Sequence, residues 1–276
     1  MATAEAVHRV PTRVGELRVR VEGAGPVAVL WHSLYVDDGS WDRVAPALRA
    51  ERTLVRITGP GHGGSEARRA PYTLDDCAAA AVEVLDALGL SGPVDWVGNA
   101  WGGHTGIVLA AADPGRVRSL AAFNAPVQAL SPQEAKGPRL LVALYRTLGP
   151  IPLAVNALLR ALLSETTRTS DPEAVGYVTR CLRGANRRGL VNAMRSISLQ
   201  RPDLRPLLPG IDTPVLLVAT PGNPLWTPEQ ARAAAALMPR AEVAVVERAG
   251  HLTPLEAPEE SIELLRALWA SATAIP

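Results

Sequence analysis

"VDWVGNAWGGHTGIVLAAA", residues 94–112, decides how the rest of the chain is read. Its first half is continuously apolar, as a strand buried on both faces must be. Gly98-Asn99-Ala100-Trp101-Gly102 then supplies a tight bend of mostly small residues, and an apolar stretch at helical spacing follows. The stretch predicts strand, bend, helix. At the centre of the bend stands the methyl group of Ala100. The five residues of the bend carry no hydroxyl, thiol or carboxylate.

Working outward, the same alternation recurs. "LRVRVEG" (17–23) alternates like a half-exposed strand, and "PVAVLWHS" (26–33) reads as a fully buried one. Helical spacing with Ser40 as its cap covers 39–51, and "TLVRITG" (53–59) is a further strand. Thr73 and Asp76 form a capping-box pattern ahead of a helix through Leu90. Beyond the bend, "VRSLAAFNAPV" (117–127) is a strand. Helical patterns without a convincing strand fill 131–207, and alternation resumes at "TPVLLVAT" (213–220), followed by a helix from Thr227, strand 241–251 and a helix from Ala257. Strands alternating with helices imply an α/β architecture: a mostly parallel central sheet with helices on both faces. Residues 1–130 and 208–276 are expected to form this core, with 131–207 inserted as a helical cap, or lid.

Composition narrows the function classes. The 276 residues carry 28 basic and 27 acidic side chains, a formal net charge of +1, and Lys136 is the single lysine. No basic field is available, so nucleic acid is not an expected partner. Cys77 and Cys181 are isolated, which reads as buried small hydrophobes in a reducing compartment. No apolar run has membrane-spanning length and no signal-peptide pattern opens the chain, so a cytoplasmic location is expected. Neither a ligand-spaced His, Cys and carboxylate cluster nor a dinucleotide fingerprint is present; no metal and no organic cofactor are expected. The oligomeric state is left open.

Four local patterns, in order along the chain, resemble the α/β-hydrolase superfamily, with an enol-lactonase-like and epoxide-hydrolase-like flavour. "WHSLYVDDGSWD" (31–42) resembles the loop after that family's third strand, with His32-Ser33 in place of its common His-Gly. "GPGHGGS" (59–65) resembles the Gly-His-Gly-x-Ser turn, "GNAWGG" the nucleophile elbow, and "RAGHLTPLEAPEE" (248–260) the loop bearing the catalytic His. The resemblance implies a triad in the order nucleophile, acid, His. His251 matches the His. Ala100 holds the nucleophile position, Asn223 the usual acid position, Asn124 the alternative acid position, and Thr58 replaces the Asp that commonly precedes Gly-His-Gly.

The losses differ in weight. A nucleophile-to-Ala change closes the covalent route, a cost on the order of 10⁶ in kcat. An Asn partner can orient an imidazole through its amide oxygen but cannot stabilise imidazolium, a cost on the order of 10⁴. The backbone N–H groups of Leu34 and Trp101, expected to form the oxyanion hole, survive any side-chain change. Ser33, Asn99, Asn124, Trp226 and Asp38 are expected to border a small-molecule substrate, with Asp37 or Asp38 able to replace the missing carboxylate beside His251. Three functions fit. The first is an enzyme acting on a small apolar carbonyl compound without covalent catalysis, His251 being the general base in lyase, isomerase, cyclisation or water-mediated hydrolytic chemistry. The second is a serine esterase, lactonase or carbon–carbon hydrolase whose nucleophile has been replaced by Ala100. The third is a ligand-binding descendant without chemistry. The several departures within one site favour the first.

Overall fold

The computed structural model describes residues 3–68 and 70–273. Eight strands form one sheet: β1 (Thr3–Thr12), β2 (Gly15–Gly23), β3 (Val27–Trp31), β4 (Thr53–Ile57), β5 (Val94–Asn99), β6 (Val117–Phe123), β7 (Val215–Ala219) and β8 (Ala241–Val245). Their spatial order is β1-β2-β4-β3-β5-β6-β7-β8, antiparallel between β1, β2 and β4 and parallel from there on. The mostly parallel α/β sheet expected from the alternation is present. β1 was not anticipated: it lies at the sheet edge, and its sequence TAEAVHRVPT has no continuous apolar run.

Between strands run α1 (Ala45–Leu48), α2 (Leu74–Ala87) and α3 (Trp101–Ala112). Five helices lie between β6 and β7: α4 (Lys136–Leu148), α5 (Pro152–Leu162), α6 (Glu165–Ser170), α7 (Pro172–Gly184) and α8 (Arg187–Ala193). A π-helical turn, Met194–Leu199, ends that stretch. The C-terminal part adds α9 (Pro228–Ala235), α10 (Thr253–Glu256) and α11 (Pro258–Thr273). Capping boxes open α2 at Thr73/Asp76 and α9 at Thr227/Gln230. The helix expected over 39–51 is instead a 3₁₀ turn, Asp38–Trp41, followed by one turn of α1. Asp37, not Ser40, starts it by accepting from the Gly39 N–H.

Side chains alternate across the sheet, and both faces are covered. Val29 and Trp31 of β3 join the core shared with α2 and α3, while Ala28 and Leu30 face the core shared with Leu48, Leu265 and Trp269. A third cluster joins α5 and α7 to Val36, Leu252 and Leu255, seating the helical stretch on the loops at the strand ends. No helix among the described residues is long and apolar enough to cross a membrane.

The bend after β5 is held by steric fit. A Cβ on Gly98 would lie 2.0 Å from the Gly102 carbonyl carbon, and one on Gly102 would lie 2.0 Å from the Trp31 carbonyl oxygen. Helix and strands therefore approach as closely as backbone permits, and Ala100 between them is forced to φ 47°, ψ −99°. A conformation that an L side chain rarely adopts is retained here around a methyl group.

Candidate functional site

Peptide orientation at the ends of β3 and β5 follows from neighbouring hydrogen bonds. Buried His32 sets its Nδ1 2.7 Å from the Ser33 carbonyl oxygen, and its Nε2 accepts from the Gly59 N–H at 2.8 Å. Because a trans peptide directs its C=O and N–H oppositely, fixing the Ser33 carbonyl turns the Leu34 N–H the other way. The Ala100 carbonyl accepts the His104 N–H at 2.8 Å, so the Trp101 N–H projects from the start of α3. Neither amide is used by another hydrogen bond among the described residues. His62 holds the far side of the Leu34 residue, its Nε2 2.5 Å from the Leu34 carbonyl oxygen. His32 and His62 are loop supports, and burial drives the pKa of His32 down to about 4 and lowers that of His62.

His251 reaches this bend. Its Nε2 lies 3.1 Å from Ser33 Oγ and its Nδ1 3.3 Å from Asn223 Nδ2. With no carboxylate beside it, burial pushes its pKa down to about 4, so the imidazole is neutral near pH 7. The Asn223 contact runs through the amide nitrogen and not through the oxygen expected from the sequence, because Asn223 Oδ1 accepts the Leu225 N–H at 3.2 Å.

Several residues expected to border a substrate have hydrogen bonds that hold the His251 loop. Asn99 Nδ2 donates to the carbonyls of Phe123 and His251, both at 3.0 Å. Asn124, at φ 47°, donates to the carbonyls of Gly250 and His251 at 3.2 Å and to Thr253 Oγ1 at 2.8 Å. Its short polar side chain suits the left-handed conformation. Trp226 is a core residue: fully buried, its indole N–H donates to the Val218 carbonyl at 3.2 Å. The Trp101 side chain is likewise buried among Trp31, His32, His62 and Tyr72. Glu256 was missed by sequence reading. Its carboxylate takes the Gly250 N–H at 3.0 Å and the Ser164 N–H at 2.8 Å, tying the His251 loop to the helical stretch. Its place in "LEAPEE" was the available signal.

The Asp38 carboxylate, expected to serve the site, is engaged by other groups. It accepts from Arg18 at 2.9 Å, from Thr58 Oγ1 at 2.7 Å and from Arg20. Burial alone would raise its pKa, but Arg20, the Thr58 hydroxyl, Arg18 and Arg56 together hold it below the usual carboxylate range. Asp37 is engaged by Tyr177 Oη at 2.8 Å and by the Gly39 N–H at 2.9 Å. Asp38→Ala is expected to cost roughly 3 kcal/mol, because it strips the carboxylate from partly buried guanidinium groups. A shift in the urea midpoint measures this, and an unchanged midpoint would refute it.

A cavity of about 470 Å³ opens between α7, α8 and the loops after β3 and β4, bordered by Tyr35, Asp37, His62, Tyr177, Arg180 and Leu190. Its wall begins at the residue after Leu34; Ala100 and His251 do not line it.

A sheet of this order with a sharp strand-to-helix bend facing a loop histidine defines the α/β-hydrolase class of fold. Residues 28–264 match the alpha/beta hydrolase family, and the chain belongs to it. It is 29% identical over 247 residues to a pimeloyl-[acyl-carrier protein] methyl ester esterase of Stenotrophomonas maltophilia, covering 85% of this chain and 89% of that protein. It is 26% identical over 259 residues to a putative carbamate hydrolase of Stutzerimonas stutzeri, covering 91% and 94%. Among solved structures it resembles the enol-lactonase from Burkholderia xenovorans LB400, with a TM-score of 0.88, 24% identity and coverage of 95% and 100%. A thermophilic esterase from Thermogutta terrifontis gives a TM-score of 0.87 at 23% identity, with coverage of 98% and 99%.

Proposed function

We propose that this chain acts on a small apolar carbonyl compound without forming a covalent bond at position 100. The carrying observation is the pair of unused amides, Leu34 N–H and Trp101 N–H, each one residue from a group that matters: Ser33, which touches His251, and Ala100, which holds the strained centre of the bend. Backbone donors need no reorganisation as a carbonyl oxygen gains negative charge, which makes them effective in a dry site. Residues 131–207 form the cap, and the cavity beside Tyr35 is the approach for substrate.

The relatives' names favour hydrolysis within this reading. An ester or lactone carbonyl sits in the Leu34–Trp101 pair and a water occupies the place of the absent nucleophile. As the water oxygen bonds to the carbonyl carbon, one of its protons passes to Ser33 Oγ while the Ser33 hydroxyl proton moves to the carbonyl oxygen. Collapse of the neutral adduct returns a proton to the leaving oxygen by the same hydroxyl. Lyase, isomerase or cyclisation chemistry on an enolisable carbonyl uses the same donors. His251 as a general base at Nε2 requires the ring proton on Nδ1, the nitrogen that the Asn223 amide nitrogen faces at 3.3 Å.

His251→Ala is expected to lower kcat by roughly 10²-fold or more on a substrate found by screening small esters and lactones. The fold should persist, because the loop is held through main-chain contacts at Asn99, Asn124 and Glu256. Unchanged turnover would overturn the reading. A bound compound recovered intact after long incubation would favour a ligand-binding protein.

A further inference from the structure

The direction of each hydrogen bond around His251 is set by backbone groups, which cannot be reversed. The Leu225 N–H, a donor only, faces Asn223 Oδ1 at 3.2 Å. The Asn223 amide nitrogen is therefore on the other side, 3.3 Å from both Asn124 Oδ1 and His251 Nδ1. Asn124 is fixed in the same way. The carbonyls of Gly250 and His251 accept only, so they face its nitrogen, and its oxygen accepts from Asn223 and from Thr220 Oγ1 at 3.3 Å. Turning Asn223 over would set its NH₂ against the Leu225 N–H and its oxygen against Asn124 Oδ1. Two such conflicts hold the amide where it is.

An amide N–H can meet only a lone pair, so His251 Nδ1 is the acceptor and the ring proton resides on Nε2. Nε2 in turn lies 3.1 Å from Ser33 Oγ, for which no other partner exists among the described residues. Ser33 Oγ accepts there, and its own proton is free. Its side chain is buried, so that proton has no bulk water to turn to.

We infer that Asn223 reverses the polarity of the site: His251 rests as an Nε2–H donor to Ser33, and the Ser33 hydroxyl becomes a third donor to a substrate's carbonyl oxygen. This inference rests on the proposed carbonyl chemistry for its substrate, but not for the tautomer. Three donors, Leu34 N–H, Trp101 N–H and Ser33 O–H, are then available to one carbonyl oxygen, and the His251 ring keeps its Nε2 proton throughout. Ser33 is the catalytic residue of the set, and Asn223 is a positioning residue that acts through His251.

The ¹⁵N spectrum of histidine-labelled protein near pH 7 tests the polarity with no substrate present. For His251 a protonated-type shift is expected at Nε2 and an unprotonated-type shift at Nδ1. The near-isosteric Asn223→Asp should exchange them, since a carboxylate accepts from Nδ1–H, and Ser33→Ala should leave the tautomer as it is. Nδ1–H in the unaltered protein would overturn the inference, whether or not any turnover is found. With a substrate in hand, Ser33→Ala should lower kcat by roughly 10²-fold with KM little changed, as loss of one oxyanion donor does. An unchanged kcat would remove Ser33 from the set of donors.

Discussion

Ala100→Ser alone is expected to remain a poor esterase, whereas Ala100→Ser with Asn223→Asp should exceed it by on the order of 10⁴ in kcat on an aryl acetate. Restoring the hydroxyl puts an Oγ at a bend that already has the strained φ and ψ of an elbow. A nucleophilic serine must give its proton to an imidazole lone pair, and the Asn223 amide leaves a proton on the nitrogen that would face it. A carboxylate at 223 accepts from Nδ1–H, exposes the Nε2 lone pair and stabilises the imidazolium formed during attack. The double variant should also show a pre-steady-state burst from an acyl-enzyme. If the single variant comes within tenfold of the double, Asn223 does not control the ring. Ala100 would then be the only obstacle to serine-hydrolase chemistry.

Much of the architecture was legible because it rests on local signals. Gly98 and Gly102 mark a bend where no Cβ fits, and the apolar run before them can only be a strand covered on both faces. Capping pairs such as Thr73/Asp76 mark helix starts without reference to the rest of the chain. The site was less legible, since its residue types carry no direction. An Asn at 223 reads as an imidazole partner, but which end it presents depends on the Leu225 N–H and on an asparagine 99 residues earlier. Asp38 looked available because its loop faces the strand ends; the arginines that take its carboxylate come from β2, where Arg18 and Arg20 read simply as exposed charges. Trp226, next to the acid position, turns inward because Val218 offers its indole a buried acceptor. Long-range pairings of this kind leave no periodicity.

Acid should unfold this protein well before its carboxylates titrate. In the folded chain, burial lowers the pKa of His32, His62, His104 and His251 below the ordinary 6.5, to about 4 for His32 and His251. The local bonding is consistent with this. His32 Nε2 is occupied as an acceptor by the Gly59 N–H, and His104 Nε2 lies 3.2 Å from the Arg201 guanidinium. An unfolded chain binds protons at these residues from about pH 6.5 downward, while the native state refuses them until about pH 4. Stability is therefore fullest above pH 6.5 and falls as pH falls through that window, by on the order of 3 kcal/mol each for His32 and His251. Asp38, whose pKa is held low, adds a loss in the same direction at still lower pH. Urea midpoints measured between pH 7.5 and 4.5 should drop steeply, and a flat profile would refute the neutral-histidine account. His251→Gln separates the site from the scaffold: it should remove one proton's share of the slope and leave the remainder, which belongs to the histidines that hold the Leu34 loop and the base of α3.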